Sequence, residues 1–135
     1  MAEARAAPTL PNIEDCEWNY KVKLSIAERK AMAEEIIEKY PDSVPVVIGR
    51  RVHDSLLIRS RRLIIPKYYT CQDLLKKVRS YIGPPPPGFQ MSIHIEGVVP
   101  PDSATIKHLY LQYHENDGHL YVINSLQRAT PGQRP

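Results

Sequence analysis

The cleanest alternation of apolar and polar positions falls at residues 89–96. Phe89, Met91, Ile93 and Ile95 alternate there with Gln90, Ser92, His94 and Glu96, a two-residue period that predicts a strand with one covered face. Two earlier runs have a different texture. Val44-Pro-Val-Val-Ile48 is almost continuously apolar and rich in β-branched residues, which suits a strand covered on both faces. Arg61-Arg-Leu-Ile-Ile65, ended by Pro66, sets Arg62 and Ile64 on one face and Leu63 and Ile65 on the other.

Helical periods separate these runs. Ser25-Ile-Ala-Glu28 has the form of a capping box. Ile26, Ala33, Ile36, Ile37 and Tyr40 then recur at helical spacing until Pro41 stops the helix near Lys39. Thr70 and Asp73 open a second helix, with Leu74, Leu75, Val78, Tyr81 and Ile82 in one stripe and Lys76, Lys77 and Arg79 largely away from it. Gly83 is a fitting C-terminal stop. The four prolines 84–87 form a stiff connector, with a ligand for a proline-reading domain as the alternative. Asp102 or Ser103 opens a short helix carrying Ile106, Leu109, Tyr110 and Tyr113. Asn116-Asp117-Gly118 is a turn, and residues 119–124 make the last strand.

The resulting order is helix, strand, strand, helix, strand, short helix, strand. Two strands, a crossing helix and two more strands are the order of a ubiquitin-like β-grasp. The expected fold is therefore α+β, a four-stranded mixed sheet with a crossing helix and an N-terminal helical extension. The leading helix would cover the sheet face that the crossing helix leaves bare. Residues 1–17 lack an apolar period and read as an arm, residues 18–126 as the domain, and residues 127–135 as a tail.

Composition narrows the function classes. The chain has 135 residues, 42% apolar and 24% charged, enough for one core. No apolar run approaches the ~18 residues of a membrane span, and the first residues have no secretion-signal pattern. Two cysteines, Cys16 and Cys71, make no disulfide framework, so a reducing cytosol is the expected compartment. The net charge of +3 hides an uneven distribution. Residues 1–44 carry 6 bases and 9 acids, residues 45–82 carry 9 and 2, and residues 83–135 carry 3 and 4. The basic middle could face nucleic acid, an anionic membrane or acidic peptides, or be a solvated face.

Four ordered segments carry a family resemblance. Lys39-Tyr-Pro-Asp-Ser-Val-Pro-Val-Val47, Arg61-Arg-Leu-Ile-Ile-Pro66, Val99-Pro-Pro-Asp-Ser-Ala-Thr105 and Asp117-Gly-His-Leu-Tyr-Val122 resemble, in order, motifs of the autophagy ubiquitin-like modifiers. These are the GABARAP and microtubule-associated light chain proteins, or autophagy-related protein 8 family. The resemblance spans about residues 20–125. It implies processing by a cysteine protease and by ubiquitin-like activating and conjugating enzymes, then covalent attachment to phosphatidylethanolamine. It also implies docking of cargo receptors and adaptors through short aromatic-x-x-aliphatic motifs, in the cytoplasm and on autophagosomal membranes. Microtubules are a further candidate partner.

By motif position, the first peptide pocket would use Ile36, Pro45, Arg62, Ile64 and His119. The second would use Leu63, Ile65, Pro66, Tyr69, Leu74 and Val78. The alternative for Ile36, Ile64, Ile65 and Leu74 is plain core. The second strand would be a sheet edge to which an extended peptide can add, with Arg62 meeting acids that flank the motif. Several positions depart from the family pattern. His119 stands for Phe, Leu63 for Tyr, Ser43 for a common Arg, and Lys77 for an apolar residue near the second pocket. The conjugation site implied is Gly132, preceded by Pro131 where the family has an aromatic residue. An unconjugated adaptor with the same groove is the alternative, and a basic RNA- or microtubule-binding module a third.

Enzyme signatures are wanting. Cys71 at a helix start with His53 or His94 suggests a thiol hydrolase only if the fold joins them; a packed cysteine is the plainer reading. The five histidines have no ligand spacing for zinc, and no phosphate loop is present. No metal, cofactor or catalytic residue is expected. Tyr68, Tyr69 and Tyr81 beside the basic stretch offer stacking surfaces, but no RNA-binding motif accompanies them, and no nucleic-acid partner is expected. Trp18 reads as a lid over the first helix.

Overall fold

A computed structural model describes residues 21, 23–50 and 61–128. The arm, Trp18, His53 and Gly132 lie outside the described residues. Among the described residues seven elements follow in chain order: α1 (Ile26–Lys39), β1 (Ser43–Arg50), β2 (Arg61–Pro66), α2 (Cys71–Ile82), β3 (Phe89–His94), α3 (Ile106–Tyr113) and β4 (Leu120–Arg128).

The helix starts follow from local chemistry. At α1 the Ser25 hydroxyl accepts from the Glu28 amide while the Glu28 carboxylate accepts from the Ser25 amide. Thr70 and Asp73 make the same reciprocal pair at α2, and the cap bond holds the Asp73 carboxyl below its ordinary pKa. Gly83 ends α2 with φ at 83°, a conformation that favours glycine. The cap of α3 is Thr105, whose hydroxyl accepts from His108 N at 3.2 Å, two or three residues later than the Ser103 or Asp102 expected. Tertiary pairing makes that choice. Thr105 bridges Thr70, and Ile106 N donates to Tyr69 O at 2.7 Å.

The strands form one sheet in the order β2-β1-β4-β3. β1 is antiparallel to β2 and parallel to β4, and β3 is antiparallel to β4. This is the expected β-grasp, with α2 as the crossing connection. Its main core lies between the sheet and α2. Val44, Val46 and Ile48 of β1, Leu63 and Ile65 of β2, and Leu120 and Val122 of β4 meet Leu74 and Val78 there. Val47 and Tyr121 face the opposite way, against Leu24 and Met32 of the α1 side. Thus β1 is covered on both faces, as its apolar run predicts.

Two details differ from the expected pattern. Only Ala33 of the expected α1 stripe is fully buried, while Ile26, Ile37 and Tyr40 stay exposed. The helix instead seats through Arg29, Met32, Ala33 and Ile36, adjacent positions on a helical wheel. Close approach to Gly118 sets this face: a Cβ on Gly118 would stand 3.0 Å from Ala33 Cβ. β4 also runs on to Arg128, with Gln127 paired to Gln90 and Arg128 to Phe89. The ladder there is made by backbone groups, so polar side chains do not end it. The strand therefore extends past residue 124, its expected end.

Candidate functional site: the β2 edge and its two flanks

β2 is an outer strand, bonded on one side to β1. Its residues alternate sharply. Leu63 and Ile65 are buried beneath α2, whereas Arg61, Arg62 and Ile64 are exposed. Ile64 keeps 41% of its surface in solvent on the outer face of the strand.

The first predicted pocket is brought together in part by sheet register. Pro45 pairs with Ile64 and Val47 with Arg62. Val46 pairs with Leu120, which places His119 one residue before that pair. Ile64, Pro45 and His119 are thus neighbours across three strands on the face that α1 covers. Pro45 and His119 are buried, Ile36 of α1 is half-buried, and Ile64 and Arg62 stand outermost. Arg62 Nη1 lies 3.9 Å from the Met32 sulfur of α1, so the guanidinium reaches toward the helix.

The second predicted pocket has a different character. Leu63, Ile65, Leu74 and Val78 belong to the main core, and the last three have no exposed surface. They are a floor rather than open walls. Pro66 and Tyr69 are half-buried at its margin, and Tyr69 meets the exposed Tyr68 edge-on at 5.6 Å. Lys77 and Tyr81 form the α2 flank, where Arg61 lies over the Tyr81 ring.

His119 is buried in a network that reading the residues one by one does not reveal. Its amide donates to Asp117 Oδ1 at 2.9 Å, and its Nδ1 stands 3.4 Å from the same oxygen. Tyr121 donates its hydroxyl proton to Asp117 Oδ2, and Arg29 Nη1 meets that oxygen at 3.2 Å. Burial alone would raise the Asp117 pKa. Hydrogen bonds from the His119 side chain, the Tyr121 hydroxyl and the His119 amide outweigh it and hold the carboxyl down to about 2. Burial and the bond to Asp117 push the Tyr121 hydroxyl up. The turn residue Asp117 therefore clamps α1 to the sheet beside the first pocket. Arg29 and Asp117 are 88 positions apart in sequence, so only a long-range pairing of charges could have signalled it.

Other polar groups are engaged elsewhere. A cleft of about 480 Å3 is lined by Lys21, Ile26, Arg29, Glu96 and His114 among others, and its charges include the Lys21–Glu115 pair at 2.8 Å. On β3, His94 is buried rather than solvent-facing, with the hydroxyls of Ser125 and Ser92 at 2.9 and 3.1 Å from Nε2. Cys71 is buried, and burial followed by the Asp102 charge pushes its thiol up to about 11. A protonated, covered thiol is a poor nucleophile.

A four-stranded sheet with parallel central strands, one crossing helix and a further helix on the opposite face defines a ubiquitin-like protein. Comparison with known proteins carries the assignment further. A profile described as "Autophagy protein Atg8 ubiquitin like" matches residues 28–130, so this chain belongs to the Atg8 family. Autophagy-related protein 8 of Schizosaccharomyces pombe is 28% identical over 107 residues, covering 78% of this chain and 88% of that protein. The crystal structure of Trypanosoma brucei ATG8 superimposes with a TM-score of 0.72 at 21% identity, covering 84% of this chain and 98% of the other. Plasmodium falciparum Atg8, solved in complex with a Plasmodium falciparum Atg3 peptide, gives 0.69 at 23% identity, covering 86% and 96%.

Proposed function

We propose that this chain is an autophagy modifier that carries no catalytic site of its own. It is trimmed to Gly132, joined through that glycine to phosphatidylethanolamine, and used on autophagosomal membranes and in the cytoplasm to dock aromatic-x-x-aliphatic motifs of cargo receptors. The observation that carries the docking role is the exposed β2 edge, where Ile64 and Arg62 stand beside buried Pro45 and His119. An edge strand presents unpaired backbone groups to an incoming peptide, and pockets on its two sides read alternate side chains. The Plasmodium relative is solved with a peptide of Atg3, which supports a peptide of the conjugation machinery as a partner here as well. Membership of the Atg8 family supports the conjugation step.

Pro131 favours a second reading, an unlipidated adaptor that uses the same groove. Proline before Gly132 fixes its own φ and removes an amide donor, both of which bear on threading a tail through an enzyme channel. The intact mass of the cellular protein, from membrane and soluble fractions, separates the two. A species ending at Gly132 and carrying a phospholipid is the expected result. A full-length mass in every fraction, including under starvation, would leave the adaptor. Docking is tested separately by titrating an aromatic-x-x-leucine peptide. Backbone signals of residues 61–65 should shift, and Ile64→Glu should abolish binding. Shifts confined to the arm would remove the docking role.

A further inference from the structure

The α2 flank of the β2 edge carries a charged feature that the docking role does not explain. Arg61 Cζ stands 4.2 Å from the centre of the Tyr81 ring, and Lys77 Nζ stands 5.9 Å from the same centre. One aromatic ring thus gathers two cations within the range of attraction between a cation and a ring. Tyr81 remains 41% exposed, so the cluster faces solvent. Neither cation is joined to a carboxylate among the described residues, where the side-chain ion pairs are Lys21–Glu115, Arg29–Asp117, Lys39–Glu35 and His119–Asp117. Asp73, one helical turn before Lys77, is engaged in its own cap with Thr70. Two like charges held together by a ring, with no anion between them, are complementary to an external one.

Strand geometry says where that anion would sit. Arg61 shares the α2 face with Leu63 and Ile65 by the two-residue period, and Leu63 and Ile65 lie in the core under α2. A peptide added to β2 would present its aliphatic anchor on this face, and residues two before and two after the anchor point the same way. Arg62 lies on the other face with Ile64 and serves the aromatic side. We propose that Arg61, Lys77 and Tyr81 form a selectivity element that reads an acidic side chain placed two residues from the aliphatic anchor of the docked peptide. The inference rests on the docking reading above and adds to it which peptides are preferred.

The test is fluorescence anisotropy on the full chain with three labelled peptides. The parent has an aromatic-x-x-leucine core with Gln two residues before and two residues after the leucine. Each of the others replaces one of these Gln residues by Glu. One Glu peptide should bind about three- to fivefold tighter than the parent at low salt, the size expected for a partly exposed charge pair. The advantage should fade toward parity at about 0.5 M salt. In the double variant Arg61→Gln, Lys77→Gln the Glu peptide should fall to parity while the parent keeps its affinity, which also shows the groove intact. Tyr81→Leu, which leaves both cations without their ring, should reduce the advantage, and Tyr81→Phe should retain it. Parity of both Glu peptides with a bound parent in the unmodified protein, or an advantage that survives in the double variant, overturns the selectivity element alone. A parent that does not bind, or that binds Ile64→Glu equally well, overturns the docking reading and this inference with it.

Discussion

Replacing Asp117 by Asn is the sharpest test of how α1 is held against the sheet. The substitution keeps the shape of the side chain and removes its charge. In the native protein the carboxylate takes hydrogen bonds from His119 and Tyr121 and an ion pair from Arg29, whose side chain is only 14% exposed. The carboxyl is held from 3.8 down to about 2. At about 1.4 kcal/mol for each tenfold change in acidity, this corresponds to about 2 kcal/mol of stability at neutral pH. The sign follows from the direction. A carboxyl with a depressed pKa in the folded state stabilises the fold above its unfolded pKa. That contribution is lost as pH falls from about 4 through about 2.

Urea denaturation of both proteins across that range provides the readout. The Asn variant should be about 2 kcal/mol less stable at pH 7. The gap should close as the pH falls through the folded pKa of about 2, because the other titrating groups are common to both proteins. Arg29→Gln should be non-additive with Asp117→Asn, since the two side chains share one contact. Two stability curves that run parallel from pH 7 down to pH 2 would refute the clamp. They would mean that the charge on Asp117 contributes nothing to folding and that the geometry alone misleads.

Three further outcomes follow from burial and backbone. Leu74→Ala removes a side chain with no exposed surface from the centre of the main core, and should cost about 2–5 kcal/mol in chemical denaturation. Gly118→Ala places a Cβ 3.0 Å from Ala33 at a φ of +83°; strain and the displaced helix together should cost about 1–3 kcal/mol, and the chemical shifts of α1 should move. Cys71, buried with its thiol pushed up to about 11, should react with iodoacetamide far more slowly in the native protein than in urea at pH 8, as read by mass spectrometry of the peptide that contains it.

What could be read in the sequence was what is decided locally. Both capping boxes, the stop at Gly83 and the alternation of β2 depend on residues within a few positions of one another, and each stands as the local chemistry requires. The same periods give the order of elements, and the family motifs add the position of the edge strand. What escaped depends on contacts between distant segments. The cap of α3 is expected at Asp102 or Ser103, whereas pairing of Thr105 with Thr70 moves it to Thr105. The buried face of α1 was drawn through Ile26, Ile37 and Tyr40, whereas Arg29 and the approach of Ala33 to Gly118 turn the helix away from them. His94 lies on the polar side of a clean alternation yet is buried, held by the Ser125 hydroxyl across the β3–β4 pair.

The candidate site was legible in a divided way for the same reason. Register alone brings Ile64, Pro45 and His119 together, so their proximity follows from strand pairing without knowing the packing. Most of the residues named for the second pocket are also residues that fold the protein. Leu63, Ile65, Leu74 and Val78 are core, whereas Arg61 and Tyr81 on the α2 flank are exposed. A strand with strict alternation couples these two demands. Slipping β2 by one residue against β1 would carry Arg62 and Ile64 into the core and Leu63 and Ile65 to the opposite face. Burial of the Leu63 face therefore fixes which side chains the Ile64 face presents. On the docking reading proposed above, variation in peptide preference then falls to the flank beside the edge, where Lys77 departs from the family pattern.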